Sequence, residues 1–156
     1  MSFTVEIEGL DEVERAWADD VRELGAGVRR ATVLAAKEGA DEGRRAATWK
    51  DHTGEARKTI ASKLVKDTFG QVEADILAPL ARHVWLDAGT KPHEIFPVRA
   101  RALAFVASDG VFVITRRVMH PGTRGDGFAG KMYLKAERVL RAEVEKTVAR
   151  VVDRWV

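Results

Sequence analysis

Between Val13 and Ala35, apolar residues recur at spacings of three and four: Val13, Trp17, Val21, Leu24, Val28, Ala31 and Ala35. That spacing gathers them on one face of an α-helix, and Asp11 stands just upstream in a position to cap it. Continued to Ala47, the helix would be ~55 Å long at 1.5 Å per residue. A compact domain of 156 residues has a radius of gyration of only ~15 Å. Either the helix breaks at Gly25-Ala26-Gly27, where each glycine costs ~1 kcal/mol, or it packs on something else. A monomer has little use for the second arrangement, so this segment already bears on assembly.

The rest of the chain reads as short elements. Phe3, Val5 and Ile7 alternate as a half-buried strand that Gly9 ends. A polar link runs from Thr48 to Gly54, with His52-Thr53-Gly54 as its turn. Ile60, Ser62, Leu64 and Lys66, then Val72, Ala74, Ile76 and Ala78, alternate on either side of Gly70, which predicts a β-hairpin with one buried face. Pro79 suits the first turn of a short helix running through Leu80, Val84 and Trp85 to Ala88-Gly89. Residues 89–101, with Pro92 and Pro97, read as irregular, and strands are predicted over 102–107 and 111–115 around Ser108-Asp109-Gly110. Residues 116–130 are glycine-rich and read as a mobile loop. Leu140, Val144, Val148, Val151 and Trp155 then mark an amphipathic C-terminal helix. The order predicts a single α+β domain over residues 1–156, with a mainly antiparallel sheet packed by a long N-terminal helix and a C-terminal helix.

Composition excludes several kinds of chemistry. With no cysteine, disulfides, thiolate nucleophiles and cysteine-ligated zinc are ruled out. No apolar run approaches the ~20 residues that span a bilayer, and Met1-Ser2-Phe3-Thr4-Val5-Glu6 has neither a basic nor an apolar leader region, so the expected setting is the cytoplasm. Net charge is +2, but unevenly spread. Residues 1–24 hold eight acids against Arg15 and Arg22, whereas residues 89–125 hold Lys91, Arg99, Arg101, Arg116, Arg117 and Arg124 against Glu94 and Asp109. Opposed charge of this kind suits either head-to-tail association of copies or a basic loop near an acidic partner; a plain solvated surface explains it equally well.

Catalytic patterns are missing. The histidines stand at 52, 83, 93 and 120. His83 and Asp87 lie four apart on the predicted short helix, but two ligands fall short of the three or four that zinc takes, and the others read as loop residues beside turns. Ser62 and Ser108 lack a nucleophile elbow. Gly122-Thr123-Arg124-Gly125-Asp126-Gly127 lacks the lysine and hydroxyl of a phosphate loop. The acids from Asp11 to Asp20 read as solvated charge rather than a metal-binding cluster. No catalytic residue, metal or cofactor is expected. Arg99, Arg101, Arg116, Arg117 and Arg124 are the candidates for phosphate contact, which needs only cations and carries no base readout.

Three segments carry a resemblance. Trp49-Lys50-Asp51-His52-Thr53-Gly54-Glu55-Ala56-Arg57-Lys58-Thr59-Ile60 resembles the D-x-T-G-x-L-R-x-S-I signature of the phage tail-component family, the neck and tail-completion proteins of long-tailed bacteriophages. Leu80-Ala81-Arg82-His83-Val84-Trp85-Leu86-Asp87-Ala88-Gly89-Thr90-Lys91-Pro92-His93 is similar to that family's Y-A-x-x-V-E-x-G-T helix and loop, and Val118-Met119-His120-Pro121-Gly122 to its V-x-H-P-G stretch. Leu80 stands where tyrosine is usual, Ala56 for leucine, and Leu86-Asp87 where a glutamate and an aromatic are common.

The resemblance implies a structural virion protein, not an enzyme, that forms a homo-oligomeric ring at the head–tail joint around the DNA channel. Its implied partners are the head connector and the tail-terminator or tail-tube proteins, with non-specific contact to passing duplex DNA and no membrane. A tail-terminator ring is the near alternative, and a small phage nucleic-acid-binding or nuclease protein the alternative of another class. In the leading reading Arg99, Arg101, Arg116, Arg117 and Arg124 face the channel or an acidic neighbour. Trp85, Asp87, Gly89, Thr90 and His93 shape a helix-loop element that meets another subunit, and Thr53-Gly54 supplies a turn. For Trp85 a place in the core is the preferred reading.

Overall fold

The computed structural model describes residues 9–51 and 53–155; the strand expected over residues 3–7 lies outside them, as does His52. Helix α1 (Leu10–Ala46) runs 37 residues without a break at Gly25-Ala26-Gly27. Its continuity has a tertiary cause. Gly27, Ala31, Ala35, Gly39 and Gly43 recur every fourth residue and are all buried, and they face helix α4 (Phe128–Val152). Gly27 lies under Thr147, Gly39 beside the Met132 carbonyl and Ala136, and Gly43 under Met132, so the two helices run antiparallel. The missing side chains let the helices approach closely, and the resulting contact offsets what each glycine costs in helix propensity. Asp11 does not cap α1. Gly9, at φ 81°, occupies the cap position with no side-chain bond, while Asp11 and Glu12 fall in the first turn, where negative charge is favourable.

The acids at the start of α1 are not uniformly solvated either. Asp20 is 4% exposed. It accepts bonds from Arg154 Nη1 at 2.9 Å and from the Trp155 indole Nε1 at 2.6 Å. Glu23 pairs with Arg154 and with Arg150. This cluster ties the C-terminal end of α4 to α1 and leaves Leu10–Asp19 with every residue exposed, an overhang beyond the helical hairpin. The bond from Arg154 holds the Glu23 carboxyl below the usual carboxylate range, and bonds from Arg44 and Lys37 do the same for Asp41. Because folding lowers both pKa values, the unfolded chain binds protons more readily. The stability these carboxylates add is present above the ordinary carboxylate range and is lost as pH falls through their folded values. Thermal midpoints measured from pH 6 to pH 3 should therefore fall, and Glu23→Gln should lower the midpoint at pH 6 while flattening that fall. An identical acid limb in the variant would remove Glu23 as its cause.

Strands β1 (Ala61–Thr68) and β2 (Gln71–Leu77) form the expected antiparallel hairpin, with a register shift between Leu64 and Lys66. The expected single buried face appears only on β2, which alternates. In β1 only Leu64 is even half-buried, because α1 packs under the hairpin without covering it. Arg29 reaches Asp67 at 2.7 Å and pins the far end of the hairpin to α1. A four-residue helix, α2 (Glu55–Lys58), precedes β1. Ile60, fully buried, joins Phe128, Met132, Ala40 and Ala56 in the core beneath it.

The contacts fall into two compact units. Unit 1 comprises the helical hairpin and β1–β2 (residues 1–47, 51–79 and 128–156), and unit 2 comprises residues 48–50 and 80–127. Unit 2 opens with α3 (Ala81–Ala88). It continues as β3 (Gly89–Thr90), β4 (His93–Ile95), β5 (Leu103–Val106), β6 (Phe112–Thr115), β7 (Val118–His120) and β8 (Thr123–Arg124). These pair antiparallel in nested fashion: β3 with β8, β4 with β7, β5 with β6. Gly89 opposite Arg124 and His93 opposite His120 belong to one register, so the segment before Phe96 and the segment after Arg117 form a single interrupted ribbon. Pro92 and Pro121, which have no N–H to donate, interrupt it. The mobile loop expected over 116–130 is thus replaced by β7, β8 and the first turn of α4. The architecture is α+β with antiparallel strands throughout. Among the described residues no helix is long and apolar enough to cross a membrane.

Candidate functional site

The Thr53-Gly54 turn begins a short backbone device in unit 1. Gly54 precedes α2, Thr53 Oγ1 accepts from the Glu55 amide at 3.3 Å, and Asp51 Oδ2 accepts from the Arg57 amide at 2.8 Å. Arg57 Nη2 donates to the carbonyl of Ala47 at 2.8 Å, satisfying a backbone acceptor just beyond α1. Arg44, one turn back along α1, donates to the carbonyl of Ile60. The motif therefore reverses the chain from α1 into β1 and seats Ile60 in the core. Asp51 and Arg57 do as much of this as the turn residues. The signal for Asp51 was a carboxylate just before a short helix, the usual cap chemistry.

In unit 2 the helix-loop motif and the glycine-rich segment prove to be one structure. The carbonyls of Leu86 and Asp87, at the end of α3, accept from the amides of Asp126 at 2.9 Å and Gly127 at 3.1 Å. Gly89, at φ 79° and ψ −175°, ends α3 in a conformation that only glycine adopts freely. A Cβ there would strike the Thr123 carbonyl, and one on Gly122 would strike that of Thr90. Thr90 Oγ1 accepts from the Thr123 amide at 3.0 Å, and Asp126 Oδ2 from the backbone and hydroxyl of Thr48 at 2.5 and 2.6 Å. The glycines here permit close backbone approach rather than mobility. Trp85 is 60% exposed on α3, which overturns its expected place in the core: the buried residue of that helix is His83, whose Nδ1 accepts from the Leu80 amide at 3.1 Å.

The arginines divide. Arg99 and Arg101 precede β5 and Arg116 and Arg117 follow β6, and all four are exposed. Arg117 also lies 3.4 Å from Glu94. Arg124 is on β8, away from this group in the ladder. His93 and His120, expected beside turns, are cross-strand partners with ring centroids 5.1 Å apart. His93 Nδ1 contacts the Lys91 carbonyl at 2.8 Å, and His120 Nδ1 accepts from the Gly122 amide at 3.0 Å. Among the described residues, no group of three or more histidine, aspartate or glutamate side chains is placed to hold a metal ion.

What the described surface does offer is uncovered apolar area. Leu10, Val13 and Trp17 line one side of the overhang, with Trp17 65% exposed. Farther along α1 the same stripe enters an open groove of ≈ 600 Å³ lined by Val21, Leu24, Val28, Phe69 and Val72. On the β5–β6 hairpin, Ala104, Val106, Phe112 and Ile114 share one exposed face. Patches of this kind on a small protein mark interaction surfaces. No protein-family model, curated protein or solved structure matches this chain.

Proposed function

We propose that this chain is a structural subunit of the head–tail joint of a long-tailed bacteriophage, a neck or tail-completion protein that assembles as a ring and carries out no catalysis. The observation that carries the reading is the overhang of α1: ten consecutive exposed residues bearing an apolar stripe that remains uncovered among the described residues. A helix extended past its own fold is an expense a solitary enzyme has no reason to bear, and it suits a subunit whose neighbours complete its packing. The resemblance of the Thr53-Gly54 and Gly89-Thr90 segments to the tail-component family supports the same reading, since both build backbone shape and neither presents a nucleophile. In this reading the partners are further copies of the chain, the head connector and the tail-terminator or tail-tube protein, and the location is the virion neck.

Light scattering of the purified protein followed by negative-stain imaging, alone and with isolated tail tubes, tests the proposal. Closed rings or decorated tube ends are expected, and the end occupied separates a neck role from a tail-terminator role. A protein that neither self-associates nor binds tubes or connectors would overturn it.

A second reading rests on the exposed arginines Arg99, Arg101, Arg116 and Arg117, which flank the β5–β6 hairpin in the chain and suit duplex phosphates. Affinity of the isolated protein for duplex DNA that falls steeply with salt would favour it. In the leading reading the reversal Arg116→Glu with Arg117→Glu blocks head–tail joining while leaving the circular dichroism spectrum and melting midpoint unchanged. A normal yield of infectious particles from that double variant would remove these arginines from the joint.

A further inference from the structure

We propose that residues 3–8 act as a strap that lies back along the apolar stripe of the α1 overhang in the free subunit and gives way to a neighbouring copy on assembly. The second half rests on the reading above that the overhang is an assembly surface; the first names the segment of this chain that covers it beforehand.

Among the described residues of unit 1, nothing reaches the start of the stripe. The β1–β2 hairpin follows α1 only to its own tip, where Arg29 meets Asp67 and where Phe69 and Val72 share an open groove with Val21, Leu24 and Val28. The C-terminal end of α4 is held at Asp20 by Arg154 and Trp155. Beyond them Leu10, Val13 and Trp17 are 47%, 53% and 65% exposed. From Leu10 to Leu24 the stripe is ~21 Å long.

Reach, spacing and tethering select the occupant. Phe3–Glu8 joins the helix through Gly9, at the very start of the stripe. Extended at ~3.3 Å per residue it spans ~20 Å, close to the length to be covered. Gly9 holds φ 81°, and a Cβ there would find only the Glu12 carboxylate within 4 Å, so backbone and space both allow the chain to turn back at this point. Phe3, Val5 and Ile7 alternate with Thr4, Glu6 and Glu8. Alternate side chains of an extended segment share a face and recur every ~6.6 Å, while Val13, Trp17 and Val21 recur every fourth residue, ~6 Å apart along the helix. In the strap, Ile7 falls opposite Val13, Val5 opposite Trp17 and Phe3 opposite Val21 at the mouth of the groove, and the polar residues face solvent.

A segment tethered to the surface it covers meets that surface at a high effective concentration, which a separate molecule in dilute solution does not match. The hold is also releasable. It consists of three apolar side chains, and it brings Glu6 and Glu8 near Asp11, Glu12 and Glu14, like charges that oppose it. A neighbour that offers a larger apolar surface displaces it.

Crosslinking and sedimentation velocity test the two halves. The chain has no cysteine, so Ile7→Cys with Glu14→Cys introduces a single pair. Glu14 borders the stripe, four residues after Leu10 and three before Trp17. Oxidised in dilute solution, this double variant should form a disulfide within one chain, read by mass spectrometry of the monomer. Ile7→Cys with Lys37→Cys, ~35 Å farther along α1, should not. Phe3→Ser with Ile7→Ser should self-associate at least tenfold more tightly than the unmodified protein, and the crosslinked form at least tenfold more weakly until reductant is added. Absence of the crosslink, or its formation only between chains, would overturn the strap and leave the ring reading standing. Weaker or unchanged association of the serine variant would also overturn it, since the segment would then belong to the contact between copies or have no part in it. A crosslink within the chain in a protein that never self-associates, in any of these forms, would overturn the competition and count against the assembly reading itself.

Discussion

Gly39→Leu is expected to cost about 3 kcal/mol or more, the upper part of the range for overpacking a closed core. A Cβ at residue 39 would lie 2.9 Å from the Met132 carbonyl oxygen, 2.5 Å from Ile76 Cδ1 and 3.0 Å from the Ala136 methyl. The isoleucine tip can rotate away, but the carbonyl belongs to the backbone of α4 and moves only if the helix does. For a chain of this length the loss corresponds to a fall of roughly 10 °C in the melting midpoint. The same helix supplies the control. Gly25 has nothing within 4 Å of where its Cβ would be, so Gly25→Ala should raise stability by up to ~1 kcal/mol through helix propensity alone. Opposite signs for two glycine replacements in one helix, read by thermal denaturation, would establish that the close helix pairing exists in solution. Equal effects would refute it.

Gly89→Ala should be the most damaging single-methyl change in unit 2. Residue 89 holds a positive φ, and its added Cβ would meet only backbone: the Thr123 carbonyl, the Gly125 nitrogen at 2.6 Å and the Arg124 carbonyl carbon at 3.1 Å. None of these can rotate aside, so we expect β3 and β8 to part, at a cost of about 3 kcal/mol combining backbone strain with overpacking. Hydrogen exchange locates the damage. The Asp126 and Gly127 amides, which donate to Leu86 and Asp87, should lose their protection, while the amides of α1 and α4 keep theirs. Uniform loss across both units would mean that they unfold together.

The sequence made some of this legible, and the limits have physical causes. Periodicity over Val13–Ala35 was enough to find α1, but whether it survived Gly25-Ala26-Gly27 depended on Thr147, more than a hundred residues away. The β1–β2 hairpin and α4 were readable because local alternation and helical spacing encode them. Strands of two or three residues such as β3, β4, β7 and β8 are too short for any period. They exist through pairing across about thirty residues, so residues 116–130 read as a loop although their backbone is committed. Trp85 was misjudged because burial follows helix orientation, and on α3 the inward position belongs to His83. Asp20, grouped with solvated acids, is buried by partners at the other end of the chain, Arg154 and Trp155. The candidate surfaces were half visible: opposed charge was evident from composition, but which apolar residues the fold leaves uncovered was not.

The pairing of α1 with α4 also sets a schedule. Helix α1 packs against α4, with about eighty residues of other elements between them. Closing so long a loop adds an entropic barrier and raises the mean separation of contacting residues, both of which slow folding. Until Phe128–Val152 has been synthesised, the glycine and alanine ladder of α1 lacks the helix it packs against. Unit 2, whose ribbon closes within residues 80–127, meets no such delay. The β5–β6 hairpin can therefore take shape before the pairing of α1 with α4 is complete.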